Sequence, residues 1–174
     1  GVSPAGIAQL SHFATSVAFL SQGVPFMQAG QEFLRSKNGD ENSYKSSDEI
    51  NSMKWSTRKS NIVTVDYYKG LIALRKAHPT FRMTTTAQVK SNLKFLVSAE
   101  GSIAYSLNGA AVKDKAATIV VLHNATTGDQ IFTLPKTGTW SVLVEGAKAG
   151  TTVIRKFTGA SLTVKGRSTV VISQ

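Results

Sequence analysis

The sequence contains no cysteine, so neither a disulfide framework nor a thiolate metal site is available to it. That absence fits a secreted bacterial protein as well as a cytosolic one. An extracellular bacterial location is the expectation, with a cytoplasmic one as the alternative. Histidine is scarce too: His12, His78 and His123 stand far apart, without the spacing of a metal-binding set. No apolar run approaches the roughly 18 to 20 residues that cross a bilayer. The longest apolar stretch, residues 13–20, is interrupted by Thr15 and Ser16. No basic stretch precedes it, so no signal peptide is expected there. Charged residues are few, at 17%, which argues against a solvated disordered tail, while 41% hydrophobic residues suffice for a core.

Acidic residues are outnumbered, 10 against 20 Lys and Arg, for a net charge of +10. Most of the excess lies in residues 81–174, where 11 basic side chains face 4 acidic ones. A basic domain invites a nucleic-acid reading. Here, however, the cations are spread out, mostly near turns, with no aromatic ladder between them. They read as solvated surface.

What the chain does hold is an orderly succession of patterns. Ser3-Pro4 opens a helix, Ser as cap and Pro in the first turn, and Ile7, Leu10, Ala14, Val17 and Ala18 continue it at helical spacing up to a stop at Gly23. Residues 24–27 are apolar and too short for a helix, and they read as a strand buried on both faces, with Pro25 at its start. Residues 30–61 show no long periodic segment, and a loop of that length in a compact domain is usually functional. Five of the ten acidic residues fall between 32 and 49. A second helix, capped by Asn61 or Thr64 and marked by Val65, Tyr68, Leu71, Ile72 and Arg75, ends at His78-Pro79.

Beyond Pro79 the pattern turns to short β-rich runs (93–98, 102–107, 118–123, 130–134, 139–144, 152–157, 162–164 and 168–172) separated by Gly-containing turns. These read as an antiparallel sandwich. The expected fold is α/β plus all-β, with residues 1–85 and residues 86–174 as separate domains. A helix, one strand and a second helix cannot close a barrel. Residues 1–85 therefore read as the end of something larger, the last β/α unit of a TIM-type (β/α)8 barrel.

Gly23-Val24-Pro25-Phe26-Met27-Gln28-Ala29-Gly30-Gln31-Glu32 resembles the eighth-strand motif of the α-amylase superfamily, glycoside hydrolase family 13. The loop Gln31-Glu32-Phe33-Leu34-Arg35-Ser36-Lys37-Asn38-Gly39-Asp40-Glu41-Asn42-Ser43-Tyr44, the run Ser47-Asp48-Glu49-Ile50-Asn51 and Trp55 narrow the resemblance to the type I pullulanases. Tyr67 to Pro79 and Gly138-Thr139-Trp140-Ser141-Val142-Leu143-Val144 are similar to that family as well. The resemblance implies the C-terminal part of an enzyme cleaving α-1,6-glucosidic bonds in pullulan and branched dextrins with retention, through a carboxylate nucleophile and an acid. The motifs that carry the family's three catalytic carboxylates are absent here, so no catalytic residue is expected in this chain. The alternative is a carbohydrate-binding or structural fragment without chemistry of its own.

A sugar is held by amide and carboxylate hydrogen bonds to its hydroxyls, with an aromatic face beneath it. In the family this loop lines the subsites on the non-reducing side of the cleavage point, which makes Arg35, Asn42, Tyr44 and Asp48 the candidate substrate-binding residues. Glu32 reads as a structural carboxylate, Trp55 as a loop pin and Trp140 as core. Asp40, Glu41, Asp48 and Glu49 lack the alternation of a calcium loop. No cofactor is expected on the segment, although calcium is possible in a complete enzyme. The expected partners are α-glucan oligosaccharides and the N-terminal remainder of the same enzyme, not nucleic acid or membrane.

Overall fold

The computed structural model describes residues 2–174. Helix α1 spans Pro4–Leu20, and the Ser3 hydroxyl accepts the Gly6 N–H at 3.2 Å. The helix ends earlier than expected, with Ser21 already extended, while Gly23 takes a φ of 91° three residues past the last helical one. Two short helices follow, α2 (Asp48–Asn51) and α3 (Thr57–Ser60), and then α4 (Ile62–Ala77), which stops before Pro79 as the sequence predicts. None of the helices is long and apolar enough to cross a membrane among the described residues.

The seam between α1 and α4 is polar. His12 Nε2 meets Thr64 Oγ1 at 3.1 Å, and the Ser16 and Tyr67 hydroxyls lie 2.7 Å apart. Thr15 donates to the Tyr68 hydroxyl, and the His12 ring stacks on Tyr67 with centroids 4.3 Å apart. Hydroxyls suit such a seam because each both donates and accepts, leaving no buried group without a partner. Burial pushes the Tyr67 phenol up to about 12, against the opposing hydrogen bond from Ser16, and lowers His12. Both groups are thereby held neutral.

Arg75, buried on α4, closes the far end of α1. Its guanidinium donates to the carbonyls of Phe19 at 2.8 Å, Ser21 at 2.7 Å and Gly23. Phe19 O is one of the acceptors that a helix end leaves without an intrahelical partner, and Ser21 O and Gly23 O belong to the exit just beyond it. Tyr105 adds a bond from its hydroxyl to Leu20 O at 3.0 Å, and Gln22 donates to Thr80 O at 2.8 Å. The exit of α1 is therefore fixed in place, and with it the start of the segment beyond.

Seven strands form one antiparallel sheet: β1 (Leu93–Leu96), β2 (Ser102–Asn108), β3 (Thr118–Asn124), β4 (Gln130–Glu145), β5 (Lys148–Ala149), β6 (Arg155–Val164) and β7 (Ser168–Ser173). Their order is β1-β2-β3-β7-β4-β5, with β6 also on β4. Strand alternation divides the central residues between two cores. Ile119 and Val121 join Tyr105, Leu107 and Val171 in packing on the helices, against Phe19, Leu20, Leu71 and Leu74. Val120 and Leu122 turn the other way and pack with Val170, Ile172 and Trp140. That second face is covered by the sheet itself, since Phe132 and Leu134 of β4 and Val164 of β6 belong to the same cluster. The expected sandwich fits. Its two layers share β4, which pairs with β7 through its second half and with β6 through both halves.

Two expected turns are corrected. Thr137-Gly138 and Thr158-Gly159 lie inside β4 and β6, where Gly138 opposes Gly159 just after a register shift. Glycine here marks a bulge in a continuous ladder rather than a chain reversal. A helix was also missed: α5 (Thr86–Asn92), with a reciprocal capping box between Thr85 and Gln88.

Residues 24–27 form no strand. Val24 and Phe26 are 95% and 92% exposed, and the segment pairs with nothing among the described residues. A strand is defined by a neighbour that accepts its hydrogen bonds, and none lies alongside.

Candidate functional site

The polar loop after residue 27, which shows no long periodic segment, is a folded object. It contains 3-10 turns at Gln31–Phe33 and Ser43–Lys45 besides α2 and α3. Its entry is Gly30, at a φ of 92°, whose N–H donates to Glu32 Oε2 at 3.0 Å. A Cβ on Gly30 would lie 2.8 Å from Arg35 Cδ. Only glycine meets both demands, the left-handed backbone and the close approach. Glu32 is thus a structural carboxylate, as expected.

Asn51 is the hub of the loop, and the sequence reading passed over it. Its amide nitrogen donates to Ser43 O and Ser46 O, both at 2.7 Å, and its Oδ1 accepts from Lys37. Asp40 adds a second clasp, accepting the Asn42 N–H at 3.0 Å and the Ser46 hydroxyl. At the rear, Asn61 donates to Phe33 O at 3.0 Å, and the Trp55 ring sits 5.6 Å from the buried ring of Phe33. Trp55 thus touches the loop's buried aromatic while remaining 64% exposed. Asn51 and Asn61 were hard to foresee because an amide acting on backbone carbonyls leaves no periodic trace.

The four candidate residues divide into two kinds. Arg35 is half-buried and turned into the loop, donating to Ala29 O at 3.4 Å and to Asn51 O, with its Nε buried and unpartnered. Asn42, Tyr44 and Asp48 are exposed, and their side chains make no hydrogen bond among the described residues. Tyr44 is 73% exposed, with the Lys45 ammonium 5.3 Å from its ring centroid. Asn42 precedes the Ser43–Lys45 turn and Asp48 begins α2, so Asn51 fixes the backbone next to all three. The result is an amide, a phenol and a carboxylate presented outward from a held frame. Groups of these kinds are able to hydrogen-bond hydroxyls and to lie against an apolar ring face.

Among the described residues, no group of three or more His, Asp and Glu stands close enough to hold a metal ion. The three histidines serve packing: His12 in the helix seam, His78 at the end of α4 with Nδ1 2.8 Å from Asp114, and His123 inside β3. Asp114 also accepts from Thr80 N at 3.2 Å and Ala116 N at 3.0 Å, tying the end of α4 to the β2–β3 connection. Burial alone would raise its pKa, but these hydrogen bonds outweigh it and hold the carboxyl below the usual range.

Comparison with known proteins places this arrangement. The family described as "Pullulanase, all-beta domain" matches residues 89–148, which hold β1 to β4. The pullulanase of Bacillus subtilis is 38% identical over 161 residues, 91% of this chain and 22% of its own length. The pullulanase of Bacillus acidopullulyticus superposes with a TM-score of 0.93 at 37% identity, over 99% of this chain and 21% of that one. The pullulanase of Anoxybacillus sp. LM18-11 in complex with maltotriose gives 0.86 at 31% identity, over 99% of this chain and 23% of that one. The chain spans about a fifth of the length of each of these proteins. In sequence and in fold, it is similar throughout to the C-terminal part of the pullulanases.

Proposed function

We propose that the chain is the C-terminal end of a starch-debranching hydrolase that cleaves α-1,6-glucosidic bonds with retention. In this reading its loop supplies substrate contacts, and the rest of the enzyme supplies the catalytic carboxylates. The carrying observation is the outward set Asn42, Tyr44 and Asp48 on a loop whose backbone is held by Asn51, Asp40 and Arg35. Asn42 and Asp48 hydrogen-bond glucose hydroxyls, and Tyr44 lies against the sugar's apolar face. Arg35 acts through the loop, as a positioning residue. The exposed Val24 and Phe26 support the barrel half of the reading: two apolar side chains on one extended segment are what the eighth strand of a (β/α)8 barrel presents before its neighbours are in place.

The test uses the natural polypeptide that carries this chain. It should release reducing ends from pullulan. Asn42→Ala and Tyr44→Ala should each lower kcat/KM by about 5- to 10-fold, about 1 kcal/mol per lost contact, mostly through KM. Absence of pullulan cleavage, or wild-type constants in both variants, refutes the proposal. Maltodextrin binding without cleavage would establish the binding-module alternative instead.

A further inference from the structure

A cavity of about 760 Å³ opens where the first turns of α1 and α4 meet the ends of β6 and β7, and the polar loop contributes only Ser60 and Asn61, at its rear, to the lining. Its size falls within the roughly 300–1,000 Å³ range of small-molecule sites. Ala8, Phe13, Val63 and Val170 give it apolar walls, and the stacked His12–Tyr67 pair forms part of the lining. Three cations and one carboxylate complete it: Arg155, Lys165, Arg167 and Glu145. Two of the cations are already neutralised. Arg155 forms a fork with Glu145 at 2.9 and 2.6 Å, and Lys165 pairs with Asp129 at 2.6 Å. Arg167 has no ion-pair partner among the described residues.

The backbone at Arg167 is the second observation. It sits in the β6–β7 turn at a φ of 50°, a left-handed conformation that glycine or asparagine adopts at little cost and arginine seldom does. Turn chemistry does not ask for arginine there. Strained positions of this kind collect at ligand sites, where the side chain rather than the turn sets the residue. An apolar slot with one unneutralised guanidinium is complementary to an anion attached to a flat apolar body.

From this geometry we infer that the cavity between the helices and the β6–β7 turn is a binding site for a small aryl carboxylate or sulfonate, with Arg167 holding the acid group. None of Asn42, Tyr44 and Asp48 lines it. The test is a fluorescence titration of the whole chain with 1-anilinonaphthalene-8-sulfonate and, in parallel, with the neutral N-phenyl-1-naphthylamine. Arg167→Asn keeps a residue suited to the left-handed turn, so it should fold. It should weaken binding of the sulfonate about tenfold and leave the neutral dye within twofold. Ala8→Trp, which fills the slot, should abolish both. Val24→Ser/Phe26→Ser, which removes an exposed apolar segment outside the cavity, should leave both titrations unchanged. Sulfonate affinity within twofold of wild type in Arg167→Asn overturns the inference, as does loss of binding in Val24→Ser/Phe26→Ser.

Discussion

Acid should unfold this protein partly through His123. The residue is 3% exposed on β3, with Nδ1 2.8 Å from the Thr169 hydroxyl and its Nε2 buried without a partner. Its ring neighbours are Tyr105 at 6.0 Å and Phe13 at 6.2 Å, neither of which carries charge, since burial raises the Tyr105 phenol further still. Burial therefore pushes His123 down from 6.5 to about 4. The folded state keeps the ring neutral while the unfolded chain takes up a proton below 6.5. The stabilisation is complete above 6.5, declines as pH falls toward 4, and changes no further once the folded protein is protonated as well. A difference of about 2.5 units at about 1.36 kcal/mol each gives about 3 kcal/mol. The assay is urea unfolding of the wild type and of His123→Gln at intervals from pH 7 to pH 4. Gln retains a polar group for Thr169 but does not titrate. Contributions from His12 and Asp114 occur in both proteins and cancel in the difference. Wild-type stability should fall by about 3 kcal/mol more than that of the variant. Parallel curves would refute the reasoning, because they would mean that the folded protein protonates His123 at its ordinary value.

Other outcomes follow from the same packing. Arg75→Met removes the donor for the carbonyls of Phe19, Ser21 and Gly23 and should destabilise by about 3 kcal/mol, read as a lowered urea midpoint with an unchanged slope. Gly70→Ala should destabilise although alanine favours a helix by about 1 kcal/mol. A Cβ on Gly70 would stand 2.0 Å from Ala149 O, forcing α4 away from β5, so thermal unfolding should show a lower Tm; a rise would refute the contact. Asn51→Ala should free the backbone between 43 and 46 by about 1–2 kcal/mol, seen as faster amide exchange there while the sheet retains its protection.

The sequence by itself determined the elements whose causes are local. The Ser3-Pro4 start of α1 and the end of α4 before Pro79 are consequences of neighbouring residues. So is the likeness to the pullulanases, because it rests on contiguous motifs. What depends on distant partners was decided only by the tertiary structure. Residues 24–27 carry a strand's composition but not a strand's hydrogen bonds, because a ladder needs a second chain segment. Gly138 and Gly159 read as turns from either side, and pairing with each other makes them a bulge in two long strands. Arg35, Asn42, Tyr44 and Asp48 could be picked out together as residue types that bind sugars, and only the fold shows that Arg35 turns into the loop against Ala29 O and Asn51 O while the other three face outward. Arg75, Asp114 and Asn51 look like ordinary polar residues in the chain. Their roles arise because folding sets each one against unpaired backbone or side-chain groups of other segments, and residue order does not encode that proximity locally.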